Sequence, residues 1–579
     1  LKSTIRHLTI PAILSLLLAP VLLLADNASP IFDQSARFHP ITSKTGMVVS
    51  QEAIASRVGA DILSNGGNAI DAAVATGFAL AVTLPQAGNL GGGGFMLIHL
   101  AETGKTLAID YREMAPAAAH QALFLNEHRE VDERLARFSH HSAGVPGTVS
   151  GLTHVLERYG TMSLQQVMSP AIALAEQGFK VSDSLAYSLT RAQPRLQNNK
   201  SSARYFSRTD GTPLQSGDIW QQPDLTKTLK RISQVGAPGF YQGKVADLIV
   251  AEMKRGGGII TYDDLAKYRV IERQPITGTY KGYTVASMPP PSSGGVHLIQ
   301  MLNVLEGWDL AKVGHNSAAY LHRLIETMRR AYADRSKYLG DPDFYPVPIA
   351  ALTDKAYAQK LRATIQLKKA SLSEEIKPAL TLPEESPQTT HFSVWDNQGN
   401  VVSNTYTLNF SYGSGISVAG AGFLLNNEMD DFSAKPGVPN AYGLVGGKAN
   451  AIEPGKRPLS SMSPTIVFEN GKPIMATGSP GGSTIITVVL QNILNKIEFG
   501  MNVAEATAAP RIHHQWLPDQ IQVESGISPD TIMVLKKMGH RVNISPRVLG
   551  RVQAITSDGH FLFGVTDPRW PGGEAVIAK

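Results

Sequence analysis

A layered α/β protein is the architecture this sequence predicts, and three observations predict it. Short apolar runs of strand character alternate with amphipathic or wholly apolar runs of helical length. Such runs stand on both sides of a Pro-, Ser-, Glu- and Thr-rich stretch at 371–388, so strands distant in sequence must share sheets. The chain has 579 residues, 43% hydrophobic and 17% charged, with 53 glycines and 35 prolines, which allows a large core crossed by many tight turns.

Residues 1–25 form a separate piece. Lys2, Arg6 and His7 precede an almost wholly apolar stretch at 8–25, the pattern of a removable export signal. Pro11 and Pro20 weaken a membrane-spanning reading, and cleavage after Ala25 or Ala28 is expected. Residues 26–45 are polar and extended. A strand at 47–50 precedes a helical run carrying Ala53, Val58, Ile62 and Leu63, which Gly66-Gly67-Asn68 ends. Residues 69–82 restart as an alanine-rich helix, apolar on most faces and therefore buried. Asn89-Leu90 and the tetrad Gly91-Gly92-Gly93-Gly94 lead into a strand at 95–100. After Gly104 its hairpin partner at 106–109 ends in Asp110, Tyr111 and Arg112. Between 120 and 380 helical runs alternate with loops, with amphipathic patterns at 164–177, 244–254 and 318–338 and no internal repeat. Residues 371–388 lack periodicity and predict an exposed linker of the kind proteases cut. Strands resume after it, at 422–425, 464–468 and 474–477, before another apolar helix at 483–497.

Cysteine is absent, which excludes disulfides, thiolate metal sites and a cysteine nucleophile together. Basic residues exceed acidic ones by five but are scattered, with no arginine-rich run interleaved with aromatics, so nucleic acid binding is not expected. A signal without cysteines predicts an exported, periplasmic protein with no stable membrane anchor once the signal is removed.

The run directly after the linker carries the chemistry. Residues 389–396 and 400–407 are β-prone and flank Asn397-Gln398-Gly399, which predicts a hairpin. With a three-residue loop, Asp396 faces Asn400 and Thr389 faces Thr407; a one-residue slip would break that pairing. Two hydroxyls facing each other, one at a candidate cleavage point, suit a self-activated threonine nucleophile.

Other segments admit two readings each. The glycine tetrad lacks the Lys-Ser/Thr of a phosphate loop and reads better as a packing turn. Gly478-Ser479-Pro480-Gly481-Gly482-Ser483 lies between a strand and a helix, where free N–H groups could meet an oxyanion or merely shape a turn. His140-His141 and His513-His514 lack further ligands at metal spacing. Glu428, Asp430 and Asp431 form either a solvated turn or a cation-binding group. Residues 436–447, with Tyr442 among glycines, form a surface loop or a mobile cover. Ser460 and Ser461 offer hydroxyls beside a strand, and Arg112 is a carboxylate partner or one half of a structural ion pair.

Taken jointly, these segments resemble γ-glutamyltranspeptidase, of the N-terminal nucleophile hydrolases. The resemblance runs from Gly67-Asn68-Ala69-Ile70-Asp71 to His513-His514-Gln515-Trp516. It includes Leu84-Pro85-Gln86-Ala87-Gly88-Asn89-Leu90, Arg112-Glu113-Met114-Ala115-Pro116, Met288-Pro289-Pro290-Pro291-Ser292-Ser293-Gly294-Gly295 and Thr389-Thr390-His391. Asp430-Asp431-Phe432-Ser433, Pro458-Leu459-Ser460-Ser461-Met462 and Gly478-Ser479-Pro480-Gly481-Gly482 complete it. It implies an αββα sandwich built from both parts of a precursor that cuts itself at Gln388–Thr389. Residues 26–388 would then be a large subunit and 389–579 a small one, paired as a heterodimer. It further implies Thr389 as nucleophile oriented by Thr407, with Gly481 and Gly482 N–H groups as oxyanion hole. Arg112, Ser460 and Ser461 would hold the substrate α-carboxylate; Asn409, Glu428 and Asp431 would hold its α-amino group. Asn409, two residues beyond Thr407, is expected on the same strand face. Some relatives carry glutamine where this chain has Glu428. Tyr442 falls in the family's lid. The implied activity is γ-glutamyl transfer from glutathione or similar donors to water, amino acids or peptides, with no cofactor and no metal. Rival expectations are a cephalosporin or glutaryl acylase of the same fold, and an exported solute-binding protein.

Overall fold

Successive side chains of the strand Gly93–Leu100 enter two different cores. Phe95 and Leu97 pack with Val285, Ile466, Met475 and Ile555, whereas Met96 and Ile98 pack with Ala72, Phe78, Val149 and Leu152. The neighbouring strands alternate the same way, Met47 and Val49 joining the first core and Val48 the second. A strand apolar on both faces is covered on both, and that period of two builds the layers.

The computed structural model describes residues 36–376, 389–435, 437, 438, 440, 444 and 446–579. The expected signal at 1–25, most of the linker and Tyr442 lie outside the described residues. Two seven-stranded sheets pack face to face. The first runs Glu574–Ile577, Gly46–Ser50, Thr390–Asp396, Val401–Thr407, Gly93–Leu100, Lys105–Tyr111 and Ile271–Arg273. The second runs Ile41–Ser43, Leu562–Thr566, Gln553–Ser557, Lys472–Thr477, Thr465–Glu469, Tyr283–Ser287 and Ile276–Tyr280. Every pairing within both sheets is antiparallel. Helices Ala53–Ser64, Ala69–Thr83 and Thr148–Tyr159 cover the outer face of the first sheet. Helices Gly294–Leu305, Ala318–Tyr338 and Thr484–Ile497 cover the second. The order is helix, sheet, sheet, helix, with strands from both sides of residue 389 interleaved in each sheet.

Local chemistry explains the elements that position the site. The helix Ala69–Thr83 starts on a capping box in which Asn68 and Asp71 exchange side-chain and backbone bonds. Its first N–H, that of Ala69, is taken by Asp396 Oδ2 of the hairpin at 2.9 Å. The glycine tetrad is the close-packing turn expected, its last two residues already inside the strand. A Cβ on Gly92 would stand 2.0 Å from Thr407 O, and one on Gly91 would stand 2.1 Å from Leu424 O. Only glycine lets these chains touch.

One segment departs from expectation throughout and another at a single residue. Residues 422–425 form no strand: Gly420 and Gly422 take left-handed backbone (φ 79° and 80°), and only the single bridge Ser417–Leu424 forms. The apolar run is buried by packing on the glycine tetrad instead. The start of the linker is exposed at Leu372, Glu374 and Glu375 but is pinned at Ser373. Ser373 is buried, its N–H donates to Asp519 Oδ2 at 3.0 Å, and Trp516 Nε1 donates to the Ser373 and Ile376 carbonyls.

Candidate active site

The hairpin forms in the register its loop demands. Asp396 Oδ1 accepts from the N–H groups of Gln398 and Asn400, both at 2.9 Å, and Gly399 turns with φ 90°. Trp395 then faces Val401 and Thr390 faces Tyr406. Thr389 Oγ1 lies 3.4 Å from Thr407 Oγ1, both residues buried. Thr407 Oγ1 accepts the Asn409 N–H at 2.8 Å, and either hydroxyl of the Thr389–Thr407 pair can be the donor. His391, next on the hairpin, sits 2.8 Å from Thr405 Oγ1, and burial pushes its pKa down to about 3, leaving it neutral.

Asn409 lines the same cleft for a different reason from the one expected. The strand ends at Thr407, and Asn409 adopts φ 71°, a left-handed conformation that asparagine tolerates better than most residues. A turn, held by Asn409 Nδ2 donating to Asn427 O at 2.9 Å, brings it to the cleft instead of strand alternation.

Opposite the threonines stands a buried charge cluster. Arg112, just beyond the strand Lys105–Tyr111, donates through Nη2 to Asp431 at 2.5 Å, through Nη1 to Glu428, and through Nε to Pro458 O at 3.1 Å. Glu428 and Asp431 belong to a single 3-10 turn, Glu428–Asp431, so the acids are not a solvated loop. Glu113 is fully buried with a carboxyl oxygen 3.6 Å from Arg112 Nη1. Its two oxygens and Glu428 Oε2 lack a hydrogen-bond partner among the described residues. Burial pushes the Glu113 carboxyl up to about 7, against the pull of Arg112. Burial likewise raises Glu428 and Asp431 above the usual carboxylate range, with Arg112 again opposing. Burial alone would lower Arg112, but Glu428, Asp431 and Glu113 together hold it above its ordinary value. Three carboxyls around one guanidinium cannot all be ionised cheaply, so the cluster is primed for an added cation.

The serines arrive on a clamped loop. The Ser460 carbonyl accepts from the N–H and the hydroxyl of Ser293, both at 2.8 Å, while the Ser460 N–H donates to Pro291 O at 2.8 Å. The Pro-Ser-Gly run noted in the sequence is thus the brace of the serine loop. Ser461 Oγ accepts from Arg335 Nη2 at 3.1 Å, and Arg335 Nε donates to Ser293 Oγ at 2.9 Å. Gly481 (φ 144°) and Gly482 (φ 56°) lie between the strand Lys472–Thr477 and the helix Thr484–Ile497.

One cleft is lined by Thr389, Thr407, Asn409, Arg112, Glu428, Asp431, Ser460, Ser461 and Gly482, with Gly481 adjoining Gly482. Tyr442 alone of the expected site residues falls outside the described residues. Sequence reasoning gave no role to Glu113 or Arg335, both buried against this cluster. Glu113 follows Arg112 directly and so carried a signal. Arg335 sits among Arg329, Arg330 and Lys337, and nothing in that spacing singles it out.

Histidine pairs do not gather into a metal centre at the cleft. His513 engages Thr487 and Gln515, and His514 Nε2 lies 3.3 Å from Asp519. The one group of metal-donor type among the described residues is His322, Glu326 and His540. There His322 Nδ1 and His540 Nε2 are already 2.7 Å apart, and Glu326 is held by Arg330 at 2.7 Å and Arg329 at 3.4 Å.

Two antiparallel sheets between helical layers, with a threonine leading a central strand into the cleft, define the N-terminal nucleophile hydrolase fold. Among solved structures, cephalosporin acylase from Bacillus halodurans matches with TM-score 0.84 at 29% identity, covering 96% of this chain and 100% of that one. Gamma-glutamyltranspeptidase from Helicobacter pylori matches with TM-score 0.57 at 48% identity, covering 59% of this chain and 98% of that one. The family model described as gamma-glutamyltranspeptidase matches residues 55–577, and the chain belongs to that family. The glutathione hydrolase proenzyme of Escherichia coli (strain K12) is 54% identical over 535 residues, 92% of each chain.

Proposed function

We propose that this chain is a proenzyme that cuts itself between Gln388 and Thr389. It then transfers γ-glutamyl groups from glutathione or a related donor to water, an amino acid or a peptide. The observation that carries this reading is the Thr389–Thr407 hydroxyl pair, 3.4 Å apart, lining one cleft with the Arg112–Asp431 cluster. In the precursor, Thr389 Oγ adds to the Gln388 carbonyl carbon. The peptide nitrogen leaves with the hydroxyl proton as the Thr389 α-amine, and water hydrolyses the resulting ester.

That amine, with an ordinary pKa of about 7.7–8.0, serves as general base to its own hydroxyl. Thr389 Oγ attacks the γ-carbonyl carbon of the donor and passes its proton to the amine. The N–H groups of Gly481 and Gly482 receive the oxyanion. Collapse breaks the amide C–N bond, the leaving amine takes the proton, and a γ-glutamyl ester remains on Thr389. Water or an acceptor amine then attacks the ester, its proton passes through the same base, and Thr389 is restored. Donor and acceptor react in separate halves, so ping-pong kinetics are expected. No step calls on a cofactor.

Arg112, Ser460 and Ser461 hold the donor α-carboxylate, and Asn409, Glu428 and Asp431 its α-ammonium. A crowded set of buried acids is the environment that an added ammonium relieves. Tyr442 contributes to a lid over the pocket. In this reading 26–388 and 389–579 are the large and small subunits of a heterodimer, and residues 1–25 direct export to the periplasm before removal. No helix among the described residues is long and apolar enough to cross a membrane.

A glutaryl-type acylase has the structural likeness to the Bacillus halodurans acylase in its favour. It would leave Glu428 and Asp431 without an ammonium to meet. Turnover of γ-glutamyl and glutaryl p-nitroanilides decides between them: strong preference for the γ-glutamyl compound supports the proposal, and equal or reversed preference refutes it.

A further inference from the structure

Glycine supplies N–H groups but no means of aiming them. Gly481 and Gly482 both adopt positive φ, at 144° and 56°, where L side chains are rare. Their backbone is the most permissive in the cleft, and neither has a side chain to lock it. The Gly481 carbonyl is tied into the following turn, accepting from Thr484 N at 3.1 Å and Thr484 Oγ1 at 2.8 Å. The Gly482 carbonyl accepts from Ile485 N at 3.2 Å, and the next residue, Ser483, is fully buried.

Ser483 occupies the N-cap of the helix Thr484–Ile497, yet its side chain makes no capping bond to that helix. Serine at this position ordinarily accepts an N–H from the first turn. Here its hydroxyl points away and donates to Gln515 Oε1 at 2.7 Å. The Ser483 carbonyl accepts from the hydroxyl of Tyr332, on the helix Ala318–Tyr338. Ser483 is therefore gripped on both sides by residues far away in sequence.

Gln515 is itself held. His513 Nε2 lies 2.9 Å from the same Oε1, and His513 Nδ1 lies 2.8 Å from Thr487 Oγ1 on the helix that Ser483 starts. With Oε1 accepting from both neighbours, the imidazole carries its proton on Nε2. Burial pushes the His513 pKa down to about 4, so this arrangement is neutral across ordinary pH. Gln491 fastens the segment to the helix, exchanging bonds with both backbone groups of Ile512 (2.8 and 3.0 Å).

We propose that Gln515 is a positioning residue for the oxyanion hole, aiming the Gly481 and Gly482 N–H groups through its hydrogen bond to Ser483, with Tyr332 gripping the same residue from the other side. This rests on the proposed role of the two glycines and assigns a task to part of the His513–Trp516 segment that the substrate contacts leave unused. Gln515 touches no reacting atom, so its effect belongs in the transition state and not in ground-state binding.

The test uses processed wild-type enzyme, Gln515→Leu, Gln515→Glu, Ser483→Ala and the Ser483→Ala/Gln515→Leu double variant. Rates are normalised to the cleaved fraction read by intact mass. With γ-glutamyl p-nitroanilide, Gln515→Leu should lose about tenfold to a hundredfold in kcat, below the loss expected for deleting an oxyanion donor outright. Inhibition by L-glutamate, a ground-state ligand, should change by less than about twofold. Gln515→Glu keeps an acceptor for Ser483 and should stay within about threefold of wild type. Because Gln515 acts through Ser483, the double variant should be no slower than the slower single variant.

Wild-type kcat in Gln515→Leu, an equal loss in glutamate affinity, or multiplying losses in the double variant would each overturn the proposal. If Gln515→Leu does not fold, Ser483→Ala carries the test. It must show the kcat-only loss, and adding Gln515→Glu must change nothing further; wild-type kcat in Ser483→Ala overturns the inference. Wild-type enzyme that forms no γ-glutamyl ester on Thr389 would instead sink the functional reading itself, before any variant is compared.

Discussion

Replacing Thr407 by valine preserves shape and removes one hydroxyl. At least two contacts vanish with it. The 3.4 Å approach to Thr389 Oγ1 is lost, and so is the 2.8 Å bond that accepts the Asn409 N–H. The second loss takes a partner from a buried backbone N–H, Asn409 being only 2% exposed. An unsatisfied buried polar group costs about 1–3 kcal/mol, so the variant should be destabilised by that order. The first loss touches the nucleophile directly. A neutral hydrogen bond contributes about 0.5–1.5 kcal/mol, which corresponds to a roughly two- to twelvefold lower kcat. Thr407→Ser keeps the oxygen and should recover most of both. Urea melts give the first quantity, and turnover of γ-glutamyl p-nitroanilide per cleaved chain gives the second. A Thr407→Val enzyme with wild-type melting and wild-type kcat would refute the reasoning.

Further outcomes follow from the same geometry. Asp431→Asn removes a charge from the proposed ammonium site and should raise KM for γ-glutamyl anilide about tenfold to a hundredfold, the scale of a charged hydrogen bond. Turnover of glutaryl anilide by that variant should not fall in parallel, and steady-state kinetics on both compounds checks this. Glu113 has a folded-state pKa raised to about 7 from an ordinary carboxylate value of about 4.5. Its contribution to stability is therefore complete below about pH 4.5 and lost as pH rises towards 7, because the fold binds the proton more tightly than the unfolded chain. Glu113→Gln should lessen this fall, so melting at pH 5 and pH 8 should differ less in the variant than in wild type. Trp516→Phe deletes the indole N–H that joins the Ser373 and Ile376 carbonyls at 2.9 and 3.1 Å. A loss of about 1–2 kcal/mol in urea unfolding is expected, with kcat unchanged.

The hairpin was legible in the sequence because its register is decided locally. Asp396 and Gly399 build the loop, and a three-residue loop admits one pairing of the flanking strands. The helix Ala69–Thr83 was legible for a similar reason, since its cap and its apolar run are contiguous. Asn409 reaches the cleft through a turn and not through strand alternation, and a positive φ on asparagine leaves no periodic trace. Residues 422–425 misled because an apolar run buried against glycines resembles a strand until the glycines' left-handed turns are seen. The anchoring of Ser373 and Ile376 inside an otherwise exposed linker left no mark on the sequence because their partners, Arg329, Trp516 and Asp519, are distant in sequence. The same distance hid Arg335 and the grip of Tyr332 and Gln515 on Ser483. Contacts set by local turns can be read from order alone, and contacts made across layers cannot.

The central claim is that Thr389 becomes a free N-terminus and carries the γ-glutamyl group. Intact-mass spectrometry of the purified protein, before and after rapid quenching with a γ-glutamyl donor, tests both halves at once. The account predicts two chains meeting at Gln388–Thr389, with one γ-glutamyl increment confined to the chain that begins at Thr389 and absent from Thr389→Ala, which stays uncut. An uncut chain that turns over donor, or an increment on any other residue, would contradict it.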